Sequence, residues 1–110
     1  MTESSSEPQT AAIQRKIAAG QFAAALQDLE QRLAQDAGDG ESRYMAAVCY
    51  RYLSRFDEAQ ACLDSLKPLS ADPGRVYQEQ GHLDLARNRP QQALAAFANA
   101  CQLNPALVAS

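Results

Sequence analysis

Few residues in this 110-residue chain could do chemistry, and none stands in a pattern that would let it. Cys49, Cys62 and Cys101 make an odd number without a Cys-x-x-Cys spacing, and His82 is the only histidine. A zinc site built from them would need distant carboxylates to complete its ligand set. The three thiols, each inside a predicted helix beside apolar neighbours, read instead as buried side chains in a reducing compartment, with no disulfide framework and no metal. His82 reads as a surface or inter-helix residue, since no serine or cysteine has a context suggesting activation by it. Asp57 and Glu58 begin a helix, where carboxylates suit the positive end of the dipole, and this accounts for the pair without acid–base work. Gly38-Asp39-Gly40 has neither the preceding strand nor the GxxxxGK[ST] string that phosphate binding needs, and reads as a linker. The chain by itself therefore reads as no enzyme and calls for no cofactor.

What remains is a pattern of packing. Phe22 and Phe56 are one 34-residue period apart, with Pro90 holding the third register. Ala25, Ala59 and Ala93 recur at the same period, as do Leu29, Leu63 and Phe97. Small and large residues fixed at this spacing predict stacked helical hairpins. Phe22, Ala25, Leu26, Leu29 and Leu33 form one amphipathic stripe, and Tyr44, Val48 and Tyr52 a second. Helices are expected from Pro8 to Ala19, from Phe22 to before Gly38, from about Glu41 to Leu53, from Phe56 to before Pro68, from Pro73 to about Arg87, and from Pro90 onward. In the last, Ala93, Leu94, Phe97, Ala100 and Cys101 should face inward. Gly20, Ser54-Arg55 and Asn88-Arg89 turn the chain within the hairpins, and Asp72-Pro73 and Asn104-Pro105 are helix starts. Residues 1–7 should be disordered.

Composition sets the outer limits. Hydrophobic residues make up 46% and tryptophan is absent, which suits helices packed closely through alanine. A formal charge of −3 argues against a nucleic-acid partner. The acidic, serine-rich start is the reverse of a secretion signal, and no run approaches the roughly 20 apolar residues that span a bilayer. A soluble, cytoplasmic protein without membrane partners is the expectation.

The units resemble the tetratricopeptide repeat family. In the third, Gly81 falls at the family's first-helix glycine, and Ala93, Phe97, Ala100 and Pro105 match the second-helix pattern and closing proline. Tyr50, Phe56, Asp57, Glu58, Ala59 and Leu63 fit in the second. Gly20, Phe22, Ala25 and Leu29 fit in the first, where Ile13 takes the glycine's place. The resemblance implies an all-α fold: a right-handed superhelical solenoid of about three hairpins, with units near 8–39, 40–73 and 74–107 and an incomplete C-terminal cap.

It also implies a non-catalytic module that binds a peptide or partner protein in a concave groove. The family's ligand-facing positions carry over to Thr10, Gln14, Ile17, Tyr44, Val48, Arg51, Tyr52, Arg75, Gln78, His82 and Leu85. Tyrosines and arginines on one wall suit a peptide, as aromatic anchors and hydrogen-bond donors. Thr10, Gln14 and Met45 replace the lysine and asparagine cluster of the carboxylate-clamp version, which speaks against a C-terminal carboxylate ligand. Residues 81–110 also resemble helical repeat regions that precede sulfotransferase domains in some bacterial proteins, which would place a sulfonate-donor nucleotide downstream. A third possibility is a homodimer joined through the apolar face of the sixth helix.

Overall fold

The computed structural model describes residues 9–68 and 72–103, and every regular element among them is helical. Six helices follow in chain order: α1 (Gln9–Ala18), α2 (Phe22–Gln35), α3 (Gly40–Tyr52), α4 (Phe56–Leu66), α5 (Pro73–Ala86) and α6 (Pro90–Leu103). All six expected helices are present within a residue or two of their expected bounds. The tail 1–7 and the helix start at Asn104-Pro105 lie outside the described residues.

The turns inside the hairpins repeat to the hydrogen bond. Gly20, Ser54 and Asn88, each 34 residues after the last, have φ of 80°, 62° and 62°. Each donates its N–H three residues back, to Ile17, Arg51 and Leu85, at 3.0 Å. The following residues, Gln21, Arg55 and Arg89, donate five residues back to Lys16, Tyr50 and Asp84 at 2.8 Å. This is a Schellman ending, in which a left-handed residue reverses the chain and satisfies the last carbonyls. Between hairpins the caps are aspartates. Asp39 accepts the Ser42 N–H at 3.1 Å, so the stretch read as a linker supplies the cap of α3. Asp72 accepts from the Arg75 N–H at 3.3 Å, ahead of Pro73 in the first turn of α5.

Each helix packs on its neighbours in sequence, and α3 also touches α5, giving an elongated body of 49 × 26 × 25 Å. Ala25, Ala59 and Ala93 are all buried, as are Leu29 and Leu63. Small residues at such crossings keep helix axes near the usual 8–10 Å. A Cβ on Gly81 would lie 2.5 Å from the Phe97 ring, so the bare backbone is what lets α6 approach α5.

The expectation for α6 needs correction. Ala93, Ala96 and Ala100 face inward, but Leu94 is 71% exposed and Cys101 is exposed rather than a buried thiol. Helical spacing puts Leu94 and Cys101 on the flank turned away from α5, and no described element covers it. Cys49 and Cys62 are buried, and burial pushes the Cys49 thiol up to about 11.

The two seams between units differ in chemistry. Tyr50 donates to Glu30 at 3.3 Å, and Gln60 and Gln80 exchange amide hydrogen bonds at 2.7 and 2.9 Å. Both pairs join a second helix to the next unit's first helix at a spacing of 20. The Gln60–Gln80 register falls one period earlier on Leu26 and Ala46, both buried and apolar. The first seam is therefore oily where the second is amide.

Candidate functional site

The first helices of the three units, α1, α3 and α5, share one face of the molecule, and a cleft of about 260 Å³ opens on it. Gln14, Ile17 and Ala18 of α1 form one wall, and Tyr44, Met45 and Val48 of α3 the other. Glu41 and Arg75 stand at the rim. Arg75 reaches Glu41 with two hydrogen bonds, 3.1 and 3.3 Å, across one full repeat. Its guanidinium also sits 4.0 Å from the centroid of the Tyr44 ring, a cation–π contact that fixes the ring's face. Burial raises the Tyr44 phenol above its ordinary value, so the ring is neutral at physiological pH.

Next along this face, the seam between α3 and α5 is closed by an ion pair. Arg51 binds Glu79 through both nitrogens it presents, and the Nη2–Oε1 contact is 3.3 Å. Glu79 is only 3% exposed, so loss of Arg51 would leave its side chain buried without this partner. The corresponding residues one period earlier are Ile17 and Met45, which line the open cleft. Where the second seam has a salt bridge, the first has an apolar slot.

Of the positions carried over by resemblance, Gln14, Ile17, Tyr44, Val48 and Arg75 thus meet around one opening. Thr10 and Gln78 are half-buried and do not line it. Arg51 is occupied by Glu79 and lies 4.4 Å from the centroid of Tyr52. Tyr52 stacks on Phe22 of α2, centroids 4.3 Å apart and planes within 3°. His82 is exposed and meets the edge of Phe97, at 5.3 Å, on the hairpin of α5 and α6. Leu85 is 53% exposed, also away from the cleft. Sequence reading did not pick out Ala18, Glu41 or Glu79. The signal for Glu41 was present: it precedes Arg75 by one period, the spacing at which successive first helices lie side by side.

A larger cavity, about 460 Å³, shares the wall of Glu41, Tyr44 and Arg75. It continues between the starts of α3 and α5, past Gly38, Arg43, Ser65 and Asp72. Among the described residues, no three of His, Cys, Asp and Glu gather as a metal would require, and no helix is long and apolar enough to cross a membrane.

The period, the repeated turn and the packing of small against large residues agree with a comparison against known families. The family model described as tetratricopeptide repeat matches residues 16–83. The chain belongs to the tetratricopeptide repeat family. The match runs from the last turn of α1 through most of α5, across both inter-unit seams. No curated protein and no solved structure matches the chain. Tetratricopeptide repeats mediate protein–protein interaction, and the face built by α1, α3 and α5 is where their first helices lie together.

Proposed function

We propose that this tetratricopeptide repeat chain is a non-catalytic interaction module whose concave groove, formed by α1, α3 and α5, receives a peptide or partner-protein segment. One observation carries the reading: the open cleft on that face is lined by an aromatic ring, aliphatic side chains and an ordered arginine. Rigid aromatic and arginine side chains around an apolar centre are what interface hot spots are made of. Affinity capture with the wild-type chain and with Tyr44→Ala tests it. Partners held by the wild type should be lost from the variant while helicity by circular dichroism is unchanged. Equal capture by both would refute the groove.

The alternative places this chain at the front of a larger sulfotransferase-type enzyme, on the resemblance of residues 81–110. It assigns no catalytic group to the chain, and a reading frame that stops after Ser110 would remove it. Self-association through α6 is a further proposal. Its outer flank exposes Leu94 and Cys101, and the helix carries no charged residue. Light scattering that stays monomeric across a wide concentration range would dismiss it.

A further inference from the structure

Resting on the groove reading, we propose that the partner is held by one large apolar side chain seated in the slot between α1 and α3, on a segment that brings no carboxylate anchor. The asymmetry of the two seams carries this. Ile17 and Met45 stand where Arg51 and Glu79 stand one repeat later, so a position that is closed by an ion pair in the second seam is open and apolar in the first. Size narrows the occupant. At about 260 Å³ the slot falls below the roughly 300–1,000 Å³ typical of whole-ligand pockets, yet it holds a leucine, methionine or phenylalanine side chain.

Charge narrows it further. Arg51 and Arg75 are both engaged by carboxylates, Glu79 and Glu41, so neither offers a vacant fork to an acidic residue or a chain terminus. An incoming carboxylate would have to displace Glu41 or leave Glu79 buried and unpaired, and the second is strongly unfavourable. An aliphatic or aromatic anchor disturbs neither pair and covers the half-buried Ile17 and Val48 above the buried Met45, and the area it removes from water rewards it. The Tyr44 ring, pinned by Arg75, forms the far wall.

The probe is a phage-displayed library of random dodecapeptides panned against the full chain. Enriched peptides should share a Leu, Ile, Met or Phe at one aligned position and carry no acidic residue there. Adding such a peptide should shift the methyl resonances of Ile17, Met45 and Val48, and leave those of Leu94 and Leu103 in place. Ala18→Trp fills the slot from an exposed position without hollowing the core, and should weaken binding about tenfold or more. Gln31→Trp, at an exposed position of α2 that does not line the slot, should leave it unchanged. Peptides that bind Ala18→Trp as well as the wild type, or that select an acidic or C-terminal anchor, overturn the slot while the interaction-module reading stands. A library that yields no binder at all overturns both.

Discussion

Ser54 carries the least comfortable backbone in the described chain. Its φ of 62° repeats the left-handed geometry that Gly20 adopts without a side chain and Asn88 with a short amide. Left-handed backbone costs an ordinary residue roughly 1–2 kcal/mol, so Ser54→Gly should stabilise the protein by about 1 kcal/mol. In a chain of this size that appears as a rise in Tm of about 4–8 °C. Gly20→Ala should do the reverse. A Cβ there meets nothing within 4 Å, so its cost of about 1–2 kcal/mol reports the backbone alone. Urea titration of both variants checks the pair; a Ser54→Gly protein no more stable than wild type would refute the strain. The 34-residue recurrence of these three positions was open to view in the sequence. What the residue types did not show is that glycine, serine and asparagine make those turns with the same left-handed φ.

At the scale of the element, the crossings and caps decide. Ala59→Leu should cost about 1–3 kcal/mol by overpacking at a residue that is 1% exposed, and an unchanged melting temperature would count against the crossing. Gly81→Ala should be destabilising beside Phe97 and much less so in a Phe97→Leu background, a coupling of about 1 kcal/mol in a double-mutant cycle. The cap of α3 brings a pH dependence. The Ser42 hydroxyl, donating at 2.7 Å, is the largest influence holding the Asp39 carboxyl below its ordinary value of 3.8, and Arg32 adds to it at 2.9 Å. A depressed carboxyl adds stability that is complete above its unfolded value and is lost as pH falls through its folded one. Wild type should therefore exceed Asp39→Asn by a constant margin down to about pH 5, and the margin should shrink below about pH 4. Chemical denaturation at a series of pH values measures it. Helix bounds and crossings were legible because alanine, leucine and the Asp-Pro start are local signals. The outward turn of Leu94 and Cys101 was not, since a stripe of apolar residues shows which side a helix could bury and not whether another element arrives to cover it. For the same reason the cleft was only half legible: Tyr44 and Val48 announced themselves, while Arg51 and Arg75 concealed that carboxylates from other units already hold them.

Across the whole molecule, the unequal seams set where the array gives way. Gln60 and Gln80 replace an oily register with a pair of amides that satisfy each other and leave little apolar area to bury. Either Gln60→Leu or Gln80→Ala alone should cost about 1–3 kcal/mol, by breaking the reciprocal pair and leaving the remaining amide only its carboxylate partner, Asp64 for Gln60 or Asp84 for Gln80. The double variant, which reproduces the first seam's Leu26 and Ala46, should recover part of that loss, the buried Asp84 still lacking the donor that Gln80 supplied. Hydrogen exchange should show α5 and α6 opening together ahead of α1 to α4 in the wild type, and less so in the double variant. The repeated turn has a consequence at this scale too. Because the backbone leaves Leu53 and Arg87 through the same torsions and the same hydrogen bonds, a duplicated segment 54–87 could be spliced in with both junctions already shaped to receive it. Growth by whole increments would then ask nothing new of the joints, and the length of this protein becomes a quantity that a single recombination event can change.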